Sequence, residues 1–201
     1  MAKSAGTGKR RGGEAAAPSG DARDRLVDAA LSLAARQGWQ RTGLAEIAAE
    51  AGLSLAEARA ACASKLAILA HFHRRIDHAV LARGAAAGDD TPRDRLFDVL
   101  MRRFEALQPH RPALKAMLRD SAGDPAALFA LPMLINAMAW MLEAAGISSG
   151  GWRGRMRMYL LAGLYLSVLR TFLDDDSADL AATMAALDSR LRRAEGWLSL
   201  A

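Results

Sequence analysis

Few residues in the chain have both the type and the spacing to do chemistry. Three histidines, His71, His73 and His78, stand close together, but steps of two and five residues do not align ligands on one helical face as i, i+4 would. No cysteine joins them, so no metal site is expected. The single cysteine, Cys62, cannot form an internal disulfide, and a small buried hydrophobe is its expected role. There is no glycine-rich phosphate loop behind a strand, no nucleophile elbow and no carboxylate pair in a catalytic motif. An enzyme is not expected, nor is a cofactor.

Binding chemistry is better represented. The chain has 27 Lys and Arg against 22 Asp and Glu, for a net charge of +5, which permits an anionic partner such as nucleic acid or an acidic membrane surface. An Arg-rich, Ala-rich composition also follows from a GC-rich genome, so the charge alone does not choose. Arg41, Thr42, Ser54, Arg59 and Lys65 cluster within 25 residues as hydrogen-bond donors suited to phosphate or a base edge, and Lys9, Arg10 and Arg11 lie near the N-terminus. A second set, Met101, Phe104, Met117, Phe129, Met133, Met138, Met141, Tyr159 and Tyr165, is flexible or aromatic and apolar. Such residues line adaptable pockets between helices, and equally fill cores. Asn136 and the Tyr165 hydroxyl are the polar groups placed to orient an apolar or lipid-like ligand there.

The elements that must carry these residues are helices. The chain is 52% hydrophobic but only 5% aromatic and is dominated by Ala, Leu and Met, so local propensity favours helix and no strand is expected. Residues 1–21, rich in Gly, Ser and charge, predict a flexible basic arm without the apolar stretch of a secretion signal. Leu26, Ala29, Ala30 and Leu33 predict a first helix ended by Gly38. Thr42 is expected to cap a short second helix that turns Leu44, Ile47 and Ala48 inward and stops at Gly52. Ser54 and Glu57 form the pattern of a capping box opening a third helix, and Ser64 opens a fourth that carries Leu66, Leu69, Phe72, Ile76 and Val80.

Gly88, Asp89 and Asp90 predict a linker, and Thr91-Pro92 starts the next helix. Further helices are expected at about 92–107, 110–121, 125–146, 152–173 and 177–195, with Pro132 kinking the third of these. Segments 126–142 and 156–173 are apolar, but Pro132 and Asn136 in one and Arg157 and Arg170 in the other leave neither as a clean membrane span. No transmembrane segment is expected, and a reducing cytoplasm suits the lone cysteine. Two long final helices with Leu160, Leu164, Leu180, Met184, Leu187 and Leu191 at helical spacing predict a homodimer.

The run TGLAEIAAEAGLSLAEARAACASKLAIL, strongest in AEIAAEAGLS and Ser64-Lys65, resembles the DNA-binding head of the TetR family of transcriptional regulators over residues 22–83. The resemblance implies an all-α, TetR-like fold: a three-helix helix-turn-helix head, with residues 84–201 as a helical ligand-binding and dimerisation body. It implies a regulator that binds operator DNA as a homodimer and responds to a small apolar ligand. One departure stands out. Where the family usually carries Lys, Gly or Thr and then aromatics after the turn, this chain has Leu55, Ala56, Glu57, Arg59, Ala60, Ala61 and Cys62. The segments AILAHFHRR and GGWRGRMRMYLLAGLYLSVLRTFLDDDSADLAATMAALDSRLRR also look like the Coq-type accessory proteins of ubiquinone biosynthesis. That likeness implies the alternative, a lipid-binding protein with a TetR-like fold that does not read DNA. An additional amphipathic membrane helix, present in well-known members of that group, is not expected in a chain ending at Ala201.

Overall fold

The computed structural model describes residues 20–84, 90–120 and 130–198. Residues 1–19, most of the expected linker, and Phe129 lie outside the described residues. All regular structure among the described residues is helical. The order is α1 (Gly20–Gln37), α2 (Leu44–Glu50), α3 (Leu55–Ala61), α4 (Lys65–Leu81), α5 (Pro92–Leu107), α6 (Arg111–Asp120), α7 (Leu131–Ala144), α8 (Gly151–Asp174) and α9 (Ala181–Leu198), with a 3-10 turn at Gln108–His110 before α6.

In the first four helices α1 is the scaffold. It buries Leu26, Ala29, Ala30 and Leu33, as the periodicity predicts, and packs against α2, α3 and α4. Gly38 ends it at φ +91°, a left-handed conformation that glycine adopts without steric cost. Two inward positions differ from expectation. Leu44 is 46% exposed, because α2 spans only two turns and just Ile47 and Ala48 reach α1. On α4 the buried stripe is Ile68, Phe72, Ile76 and Val80, so Leu66 is left 41% exposed. Thr42 also differs: Gly43 is the N-cap of α2, and the Thr42 hydroxyl, buried, donates to the Gly38 carbonyl at 2.8 Å.

The later helices follow the predicted order with shifted ends. Thr91 caps α5, its hydroxyl accepting from the Asp94 amide, and Pro92 opens the helix. Pro132 lies in the first turn of α7 instead of kinking a longer helix; there its missing N–H costs nothing. The start of α9 moves to Ala181 because the Asp175 carboxylate organises the preceding turn. It accepts from the Ser177 amide and hydroxyl and, at 2.7 Å each, from the Thr183 amide and hydroxyl. Burial pushes the Asp175 carboxyl up, but these four bonds outweigh it and hold it well below the usual carboxylate range.

One continuous core joins both sets of helices. α1 packs on α6, α4 packs on α5 and α7, and α8 lies between α7 and α9. α8 has the length and hydropathy of a membrane span, yet it contributes Leu161, Ala162, Tyr165, Val168, Phe172 and Leu173 to this core.

Candidate nucleic-acid interface

The turn between α2 and α3 is built by local hydrogen bonds. Gly52 takes φ +64°, and the Leu53 amide donates back to the Ala48 carbonyl at 2.9 Å. The Ser54 hydroxyl then accepts from the Glu57 amide while the Glu57 carboxylate accepts from the Ser54 amide at 2.8 Å, a complete capping box. These bonds lower the Glu57 pKa, so the carboxylate stays ionised but is committed to the cap. Arg25 donates to the Ala51 carbonyl and Arg23 to the Ala61 carbonyl, each at 3.1 Å, tying the ends of α2 and α3 to α1.

α3 thereby buries Ala61 and exposes Leu55, Ala56, Glu57, Arg59 and Ala60. Arg59 is the strong donor of this face; its guanidinium donates to the Ala63 carbonyl at 2.9 Å and stays exposed. Arg41 is exposed beside the α1–α2 turn. Glu46 and Glu50 on α2 are both engaged, Glu46 by the Gly43 amide and Gln37, Glu50 by Arg36. Beside α3, a cleft of about 240 Å3 opens between Leu44, Leu55, Ala58, Arg59 and Cys62. Burial pushes the Cys62 thiol up, the direction that keeps it protonated and unreactive.

Lys65 is not presented as the sequence suggests. Its ammonium donates to the Trp39 carbonyl at 2.6 Å and the Thr42 carbonyl at 2.8 Å, and sits 4.3 Å from the Trp39 ring centroid. Burial lowers its pKa, opposed by the Asp120 charge. Lys65 therefore locks the α1–α2 turn, and Thr42, buried beside it, is part of the same lock. Of the five residues singled out for DNA, Arg41, Ser54 and Arg59 are exposed, while Thr42 and Lys65 work inward.

The residues singled out for a ligand divide similarly. Met101, Phe104, Met138, Met141 and Tyr165 are buried in the common core, where Phe104 stacks on Tyr165 with centroids 4.9 Å apart. Met117 and Met133 are partly buried, whereas Asn136 and Tyr159 are exposed and do not join Tyr165. A groove of about 360 Å3 lies elsewhere, between α8 and α9, lined by Leu160, Leu161 and Leu164 with Arg157, Arg190 and Arg193.

Sequence reading missed the polar joint between α4 and α5. Arg103, fully buried, is ion-paired with Asp77, lies 3.5 Å from Nδ1 of His73, and is 5.7 Å from the Tyr165 ring centroid. Burial, with the Arg103 charge adding to it, lowers the His73 pKa to about 4, so the ring is neutral. Burial pushes the Tyr165 hydroxyl up. The one available signal was an Arg among the apolar positions Leu96, Val99, Leu100, Phe104 and Leu107. A second joint links Asp120, at the end of α6, to Gln40, whose amide donates to the carboxylate at 3.0 Å. Among the described residues no group of three His, Cys, Asp or Glu stands close enough to hold a metal ion.

A short helical pair with a glycine turn, an exposed second helix and a larger helical body defines a helix-turn-helix protein. The chain is similar to a TetR transcriptional regulator from Nitrosomonas europaea, with 25% identity, a TM-score of 0.69, and coverage of 87% of this chain and 98% of that one. It is also similar in fold to a TetR regulator from Rhodococcus sp. RHA1 at 24% identity and TM-score 0.62, covering 89% and 96% of the two chains. A further TetR-like regulator from the same organism aligns at 21% identity and TM-score 0.53, covering 87% and 96%. The fold is that of the TetR family of transcriptional regulators. No protein-family model matches the sequence, and no curated protein matches it.

Proposed function

We propose that the protein is a TetR-type transcriptional regulator that binds operator DNA as a homodimer. The observation that carries this reading is α3, held at both ends by the Ser54–Glu57 box and by Arg23, with Arg59 on its exposed face. Ala58 and Ala61 pack α3 on the core while its other face is left exposed, and a helix fixed in this way is suited to the major groove. Arg41 is the flanking phosphate donor.

Dimerisation is supported by a second surface. Trp152, Met156, Tyr159 and Leu160 on α8 are 73, 51, 53 and 45% exposed, and their i, i+4, i+7, i+8 spacing makes one stripe. Of the residues whose spacing predicted the interface, Leu160 and Met184 are exposed and Leu164 is half-buried, whereas Leu180, Leu187 and Leu191 turn inward and are buried in the chain's own core. Such a stripe fits an isologous helical interface. In this reading residues 22–83 form the DNA-binding unit and residues 84–201 the body that takes a small apolar or lipid-like ligand.

The test is a gel shift with DNA from upstream of the protein's own gene against random duplex at low salt. Preferential binding by about 4 kcal/mol or more supports a regulator. A second reading, a Coq-like lipid-binding protein that does not read DNA, is favoured by the inward-turned Lys65. Equal binding to both duplexes, together with isoprenoid lipid co-purifying in native mass spectrometry, would replace the first reading with the second.

A further inference from the structure

The outer face of α3 is unusual for a base-reading helix, and its composition specifies what it can read. Leu55, Ala56, Arg59 and Ala60 are exposed at i, i+1, i+4 and i+5, one face of a two-turn helix. Glu57, also exposed, has its carboxylate hydrogen-bonded into the cap. The apolar surface continues from Leu55, 59% exposed, past Leu44 into the cleft on whose rim Arg59 sits. The face therefore offers one charged donor inside an apolar surface.

In the major groove, guanine presents two acceptors suited to an arginine fork, and thymine alone presents a methyl group suited to an apolar side chain. From residue 55 to residue 60 the helix rises about 7.5 Å, close to two base-pair steps of about 3.4 Å. The alanines are short enough to let the helix axis approach the base edges. Resting on the DNA-binding reading above, we infer that the half-site is a guanine adjoining thymines, read by Arg59 and by the methyl-facing side chains Leu55, Ala56 and Ala60. The bond from Arg59 to the Ala63 carbonyl, just past the end of α3, is exposed and is exchanged for the guanine.

The experiment uses the full chain and a random duplex pool, from which bound sequences are enriched. In the enriched duplex each thymine is then replaced by deoxyuridine, which removes only the 5-methyl group. The expected result is a loss of about fourfold in affinity for each contacted methyl. In the double variant Ala56→Ser, Ala60→Ser, the thymine-over-uracil preference should fall below about twofold at the thymines those two residues face and persist at the one Leu55 faces, while Arg59→Ala should leave every thymine preference in place and abolish the guanine preference. An enriched sequence that binds equally well with uracil would overturn the inference while leaving the regulator reading intact. A pool that yields no enriched sequence would overturn both.

Discussion

Arg103 on α5 and Asp77 on α4 form a buried ion pair that fastens the helix-turn-helix unit to the body, with the arginine side chain 1% exposed and the aspartate 13%. Removing one partner of such a pair leaves an uncompensated charge in a low-dielectric interior. Asp77→Ala and Arg103→Ala should each cost about 3 to 5 kcal/mol in urea unfolding. The double change Asp77→Leu, Arg103→Met should cost much less than the sum, because it removes both charges and keeps the volume. Additive losses would show that the two residues are not energetically coupled.

His73 makes the same joint sensitive to pH. Its folded pKa of about 4 lies below the ordinary 6.5, so the unfolded chain takes up a proton between these values and the folded chain does not. The contribution is therefore fully present above about pH 6.5 and is lost as pH falls toward 4, by up to about 3 kcal/mol. The guanidinium of Arg103, itself ion-paired with Asp77, faces the ring, so the readout is a difference between proteins. In denaturant unfolding from pH 7 to pH 4, wild type should lose more stability than His73→Leu. Parallel curves would show that the ring does not titrate with folding.

Lys65 and Arg59 should separate stability from DNA binding. Lys65→Ala frees the Trp39 and Thr42 carbonyls and should lower thermal stability by about 1 to 3 kcal/mol, with the salt dependence of DNA binding changed little. Arg59→Ala should leave stability within about 0.5 kcal/mol and reduce discrimination between enriched and random duplex by about 5- to 150-fold. A fall of about one unit in salt slope for Lys65→Ala would instead show that its ammonium reaches phosphate.

The exposed stripe on α8 predicts an assembly of about twice the 21.4 kDa chain mass in sedimentation at micromolar concentration. Leu160→Arg places a charge on the stripe. It should yield a monomer with unchanged helix content, since Leu160 is 45% exposed within one chain. A wild-type monomer would remove the dimer interface.

The helices, their order and the Ser54–Glu57 box are determined by the sequence itself, because each rests on information a few residues wide: apolar spacing on one face, a hydroxyl three residues before a carboxylate, a glycine at a helix end. Ile47, Phe72 and Val80 are core residues for the same reason. The tertiary structure alone decided which polar groups face outward. Lys65 reads as a phosphate donor until the α1–α2 turn folds back and offers it two carbonyls, and Thr42 reads as a cap until Gly38 supplies its acceptor. Arg103 meets Asp77 from 26 residues away, and Asp120 meets Gln40 from 80. Periodicity gives each helix its apolar face, but not the neighbour that face will meet. The partner of a long polar side chain is set by helix packing, which is why Arg59 and Lys65, alike in sequence, end with opposite roles.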